Sequence, residues 1–215
     1  DWNGALSPAN VRVDAWISPP PYTSRPPIIL SASTATEAQS ADHAATPVPV
    51  GSTLIVRASG SRLDVSVGGG ISDAPATDQL AQGVTERRFT IAGDGTAQIR
   101  SPSGHPQWTF KAVPDHAPAI SLAKDPERQA RGALQLVYKL EDDYGVTEAH
   151  ARFAARPAQR SPDARPLYDG PEMPLSLPNA RTRNGIGQTI KDLTEHPYAG
   201  SDVTLTLTAR DEAGN

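Results

Sequence analysis

Proline and glycine recur along the whole chain, 21 and 17 of them among 215 residues, and between them apolar side chains alternate with polar ones. Proline removes a helical donor and clashes with the preceding turn, and glycine loses more backbone entropy on ordering than any other residue, so helices of ordinary length are interrupted before they form. Short strands joined by turns tolerate both residues well. The pattern predicts an all-β chain. A helical bundle does not fit it, and segments that could serve as helical crossovers are missing, which disfavours a parallel α/β fold.

The alternation is explicit in the first half. Val11, Val13 and Ala15 fall on one side of a strand and Arg12 and Asp14 on the other, the period of a half-buried strand. Ser18 to Pro27 holds five prolines and reads as an extended sheet-edge segment without ladder hydrogen bonds. Ser31 to Pro49 has loop composition. Strands are then expected at Thr53–Ala58, Leu63–Val67, Glu86–Ile91, Ala97–Arg100 and Gln107–Val113, with Trp108, Phe110 and Ala112 on one face. Turns are expected at Gly51-Ser52, Ser59-Gly60-Ser61, Gly93-Asp94-Gly95 and Ser103-Gly104, and Gly68-Gly69-Gly70 reads as a flexible loop.

A boundary follows at Pro114-Asp115-His116-Ala117-Pro118, where two prolines flank polar residues between a finished strand and a fresh one at Ile120-Ser121-Leu122. The second half repeats the pattern: Leu134–Leu140, a hairpin turn at Asp142-Asp143-Tyr144-Gly145, Val146–Ala154, then Glu172–Leu177, Gln188–Leu193 and Val203–Ala209. Leu193 to Tyr198 resembles the corner before strand F of an immunoglobulin sandwich, and Asp211 to Asn215 resembles an F–G turn. The expected architecture is two tandem immunoglobulin or fibronectin type III-like β-sandwiches. The first, residues 1–113, has a Pro-rich N-terminal strand region; the second, residues 114–215, stops at the F–G turn and is expected to lack its last strand. That leaves Val203–Ala209 an open edge able to pair with another chain.

Chemistry is sparse. The net charge is −4, and each half carries slightly more acid than base, so neither has the basic excess that a phosphate backbone requires. No apolar run approaches the roughly 20 residues that span a bilayer, and no membrane insertion of this segment is expected. The chain begins at Asp1, and any targeting signal is expected outside it. With no cysteine, disulfides, Cys-ligated zinc and thiol catalysis are excluded. His43, His105, His116, His150 and His196 do not share a helical metal-site spacing, and no Gly-x-Ser-x-Gly elbow occurs. Catalytic residues and cofactors are therefore expected to be none. Asp142, Asp143 and Asp211, with Glu141 and Glu212, are the weak metal candidates: oxygen ligands for calcium if both turns lie at one sandwich end, against a bland reading in which Asp and Gly simply make turns. Trp2, Trp16 and Trp108 could form a carbohydrate platform, but the strand positions of Trp16 and Trp108 favour core packing.

Arg12 to Thr23 (RVDAWISPPPYT), Pro47 to Ser59 (PVPVGSTLIVRAS), Tyr138 to Val146 (YKLEDDYGV) and Asp192 to Gly200 (DLTEHPYAG) resemble the extracytoplasmic region of a large alphaproteobacterial membrane protein family of unknown function. The resemblance implies transmembrane helices before this region, a Gln- and Met-rich helical region after it, a periplasmic location and attachment to the inner membrane. It implies no catalytic residues. The function expected is a non-catalytic periplasmic spacer or protein-interaction module, with protein as partner. The rival is a module that recognises envelope glycan or peptide through sandwich loops, marked by exposed aromatics beside a loop end.

Overall fold

A computed structural model describes residues 12–31, 45–59, 63–75, 83–100, 105–156 and 168–215. The chain divides into two compact units, Asp1–Asp115 and His116–Asn215. Trp2, His43 and Ser61 lie outside the described residues.

The strands of the first unit are β1 (Arg12–Ser18), β2 (Ile28–Leu30), β3 (Thr46–Pro49), β4 (Ser52–Ser59), β5 (Asp64–Asp73), β6 (Val84–Arg100) and β7 (Gln107–Val113). They run in the order β2-β1-β4-β6-β7-β3, with β5 on the other side of β6. The key element is β6, continuous over 17 residues. Val84–Ile91 pair with β4, Gly95–Gln98 with β7, and β5 pairs with β6 from Phe89 to Arg100. The hairpin therefore folds the sheet over on itself, giving one layer β2-β1-β4-β6-β5 and a facing layer β5-β6-β7-β3. These are the A-B-E-D and C-F-G arrangements of an immunoglobulin sandwich, with strands C and D fused in β5 and E and F in β6. Leu54, Val56, Phe89, Ile91, Ile99 and Phe110 fill the space between the layers.

Three expectations are corrected here. Gly68-Gly69-Gly70 is no loop but part of β5, and Gly93-Asp94-Gly95 is no turn but part of β6. Glycine is required because the two strands touch backbone to backbone at the fold: a Cβ on Gly70 would overlap Gly93, and Gly69 sits at φ +76°. The Ser31–Pro49 loop is shortened, since Thr46–Pro49 pairs in parallel with Phe110–Val113. The Pro-rich segment makes a one-turn 3-10 helix at Pro21–Thr23, and Ile28–Leu30 just beyond it pairs with β1.

The second unit comprises β8 (Ala119–Leu122), β9 (Glu127–Arg128), β10 (Leu134–Val146), β11 (Glu148–Ala155), β12 (Glu172–Pro174), β13 (Thr182–Lys191) and β14 (Val203–Arg210). One sheet is ordered β13-β10-β8 with β9 beside β10, the other β12-β11-β14. This is the A-B-E and C′-C-F connectivity of a fibronectin type III-like sandwich. Leu136, Tyr138, Leu140, Ala151, Phe153 and Met173 lie at its centre. Tyr138 packs against Gly187, where a Cβ would overlap its ring, and its hydroxyl bonds the Ser176 carbonyl at 2.6 Å and Thr189 Oγ1 at 2.7 Å. Asp142 to Gly145 is not the expected hairpin turn. It is an irregularity within β10, whose pairing with β13 jumps between Glu141 and Val146, and the chain then passes to the other sheet as β11.

Candidate functional site

On the outer face of the first unit, strand register lines up four side chains across β2, β1, β4 and β6: Ile29, Trp16, Ile55 and Arg88. Trp16 is thus on the outer face and not in the core. The period that turns Val13, Ala15 and Ile17 inward turns Trp16 outward, a signal available in the sequence and overridden by the habit of burying tryptophan. Trp108, in contrast, packs against the core as expected, its indole N–H donating to the Ser31 carbonyl at 3.0 Å.

Ile29 is 76% exposed, and beside it the row becomes progressively covered, Ile55 being only 7% exposed. The cover is ionic. Arg57, paired with Glu86 across β4 and β6, donates Nε and Nη2 to Glu86 Oε2 at 3.1 and 2.7 Å, while Arg88 Nε donates to Oε1 at 2.7 Å. The Glu86 side chain is 2% exposed, against 49% and 34% for the two arginines. Burial pushes its carboxyl up, but the hydrogen bonds and charges of Arg88 and Arg57 outweigh that and hold it below the usual carboxylate range. The Arg57 guanidinium also lies over Trp16, 5.4 Å from the ring centroid, within cation–π range. An exposed isoleucine beside a tryptophan and two immobilised arginines has the composition of an interface anchor cluster. Sequence reasoning missed Glu86, Arg57 and Arg88, because only the pairing of β4 with β6 brings them together.

The second unit holds a groove of about 500 Å³ at the mouth of its sandwich. Leu134, Phe153, Leu193 and Val203 form its apolar lining, with Arg128 and Tyr198 also lining it. The His196 and Tyr198 rings meet edge to face at 5.5 Å, and the Tyr198 hydroxyl donates to the Tyr168 carbonyl at 2.8 Å. A tyrosine corner ties back to backbone a few residues upstream; here the tie reaches 30 residues upstream, so the expected corner is present in position but not in its bond. Tyr168 is 59% exposed.

The acidic candidates do lie at one end of the second sandwich: Thr147 N–H donates to the Arg210 carbonyl at 2.9 Å, and Arg181 pairs with Glu212. At least one carboxylate oxygen of each is engaged by the protein itself, while Asp142 Oδ1 is buried without a hydrogen-bond partner among the described residues. Asp142 accepts from the Tyr144 and Gly145 N–H groups, Asp143 faces His116 at 3.2 Å and Glu141 pairs with Lys139 at 2.6 Å. Asp211 accepts from the Gly214 and Asn215 N–H groups at 2.7 and 2.9 Å. Burial raises the Asp211 carboxyl, and the hydrogen bonds from Asn215, Gly214 and Ala213 more than offset it, leaving it below its usual value. Among the described residues, no group of three or more His, Asp or Glu side chains is placed to hold a metal ion. Of the described histidines, His150 bonds Glu148 at 2.7 Å and His116 meets Asp143 at 3.2 Å. Among those residues, too, no helix is long and apolar enough to cross a membrane.

Strand connectivity defines the class: an all-β chain of immunoglobulin-like sandwich units. The chain belongs to the DUF4175 family, a domain of unknown function, which it matches over residues 1–215. No curated protein matches it. Similar solved structures include titin domains A168–A170 (11% identity, TM-score 0.33, covering 94% of this chain and 62% of the titin segment). A titin Z1Z2 chimera carrying a decorin peptide is also similar (13%, TM-score 0.29, 79% and 87%), as is bovine butyrophilin (12%, TM-score 0.21, 77% and 94%). The chain thus spans 62% of that first titin segment's length.

Proposed function

We propose that this chain is a non-catalytic interaction module of a membrane-anchored envelope protein, located in the periplasm, and that it engages a protein partner through the outer face of its first unit. The observation that carries this reading is the exposed Ile29 beside Trp16, which lies under Arg57 of the Arg57–Glu86–Arg88 cluster. A sheet face that only meets water does not need a nearly fully covered carboxylate to hold two arginines, one of them over an indole. Such pre-ordering lowers the side-chain entropy lost on binding. The periplasmic, inner-membrane assignment rests on the four sequence blocks that resemble an extracytoplasmic region.

In the membrane-anchored parent, a photo-crosslinking residue at Ile29 is expected to capture protein, and Arg57→Ala is expected to abolish the capture. Crosslinking at Ile29 no greater than at Ile190, an exposed residue of the second unit, overturns the interface. The chain contains no cysteine, so Ser66→Cys labelled by a membrane-impermeant maleimide after outer-membrane permeabilisation reports the compartment. Labelling only after the inner membrane is broken overturns the periplasmic assignment.

A second reading is favoured by Tyr168 and Tyr198 beside the groove of the second unit: recognition of envelope glycan or peptide there. Binding to purified peptidoglycan that Tyr198→Ala removes and Trp16→Ala leaves intact supports it over the first.

A further inference from the structure

We propose that the outer end of the Arg88 guanidinium receives a carboxylate of the protein partner, presented by an extended segment that crosses β6, β4, β1 and β2 and lays an aliphatic side chain on Ile29. This inference rests on the first-unit interface proposed above and names what that interface recognises.

The Arg57–Glu86–Arg88 cluster carries a net charge of +1, and its two signs are shown unequally to a partner. The Glu86 side chain is 2% exposed, against 49% for Arg57 and 34% for Arg88. Whatever approaches this face meets the cations. Arg57 uses Nε and Nη2 on Glu86 Oε2, whereas Arg88 uses only Nε, on Oε1. The Nη1 and Nη2 groups of Arg88 therefore make no hydrogen bond among the described residues. Together they form the end-on fork of the guanidinium, whose parallel N–H groups match the two oxygens of a carboxylate. A guanidinium already fixed at Nε also loses less freedom on binding than a loose one.

Position favours Arg88 over Arg57. Register sets Asp14 opposite Arg57 on β1 and Glu86 opposite it on β6. Asp14 is bonded to Arg12 at 3.0 Å but remains half-exposed, so an anion arriving at Arg57 meets a like charge. Beside Arg88 the register neighbour on β4 is Ile55, and Thr90 follows on the same face of β6. No second carboxylate stands opposite it there.

The apolar part of the ligand follows from the same row. Arg88, Ile55, Trp16 and Ile29 are register neighbours on four adjacent strands, a span of about 14 Å at the spacing of hydrogen-bonded strands. An extended segment advances about 13 Å over four residues and turns every second side chain to the same side. With its carboxylate at Arg88, the residue four positions away falls on Ile29, which is 76% exposed, and the one between them falls between Trp16 and Ile55. A helix would need about nine residues to cover the span, two and a half turns, which sets the two side chains on opposite faces. The extended form alone meets both ends of the row.

Panning a phage-displayed random peptide library on the purified chain tests this. The selected peptides are expected to share an Asp or Glu four positions from an aliphatic residue. Arg88→Gln should weaken a selected synthetic peptide at least about tenfold, the loss of one bidentate charged contact. Arg88→Lys, which keeps the charge beside Glu86 but not the fork, should also weaken it, while Asp14→Asn should not. Replacing the peptide carboxylate by its amide should weaken binding to the unaltered chain and cost nothing further in Arg88→Gln. Unchanged circular dichroism spectra verify that the variants fold. Selected peptides without an acidic residue overturn the proposal, as do acidic peptides that bind the unaltered chain and Arg88→Gln equally. If Ile29→Ser still removes that binding, the carboxylate assignment fails and the interface stands; if Ile29→Ser and Arg88→Gln both leave it unchanged, the interface fails as well. A library that yields no binder overturns the proposal and leaves the interface to the Ile29 crosslink.

Discussion

Glu86 shows what a single residue on a sheet surface can be made to do. Two guanidinium groups hold its carboxylate in the charged form although it is nearly fully covered. Because its pKa is lowered in the folded chain, its contribution to stability is present above the ordinary carboxylate range and is lost as pH falls through the lowered folded value. Glu86→Gln should therefore lose about 1 to 2 kcal/mol at pH 7. The loss falls short of that for a fully buried pair because both arginines keep contact with water. Denaturant melts of the two proteins should converge as the pH is lowered toward 3; a gap independent of pH would show that Glu86 acts through packing. The acidic residues of the second unit behave differently. With Asp142 Oδ2 and Asp211 accepting backbone N–H groups and Glu212 paired to Arg181, calcium must displace bonds already made, Asp142 Oδ1 being the buried oxygen that has no partner among the described residues. Millimolar calcium should leave the melting temperature unchanged, and a rise abolished by Asp143→Ala would contradict this.

At the scale of elements, the β5–β6 hairpin decides the first unit. One pair of long strands serves both layers only because its backbones cross without side chains between them. The crossing is asymmetric: a Cβ on Gly70 would overlap the Gly93 backbone, whereas a Cβ on Gly93 would stand 3.4 Å from the Gly70 Cα, an ordinary contact. Gly70→Ala should accordingly destabilise by about 1 to 3 kcal/mol, and Gly93→Ala by less than about 1 kcal/mol. Thermal melts of the two variants check this, and equal losses would mean that the strands do not cross there. The strands themselves were legible because period-two alternation is a local property; β14 is found where Val203, Leu205, Leu207 and Ala209 predict it. The continuity of β6 was not legible. Gly93-Asp94-Gly95 has the composition of a turn, and only the close approach of β5 distinguishes a bend in a ladder from its end.

For the whole molecule, each unit has its own cluster of buried side chains, so residues 116–215 expressed alone should give a β-type circular dichroism spectrum and a cooperative melt. An unfolded fragment from a chain that folds whole would show that stability is shared between the units. The sequence by itself determined the all-β class and the strand faces, because each follows from residue type and near-neighbour spacing. It also placed Asp211 and Tyr198 outside the strands, where they are found, whereas Asp142 and Asp143, expected on a hairpin turn, lie within β10. Only the tertiary structure decided that Trp16 lies under Arg57, that Glu86 is shared by two arginines, that Asp142 lies within an irregular strand and that Tyr198 reaches back 30 residues to the Tyr168 carbonyl. Those relations join residues far apart in the chain, and the pairing register that brings them together is set by the burial of both layers at once, a quantity no local window of sequence contains.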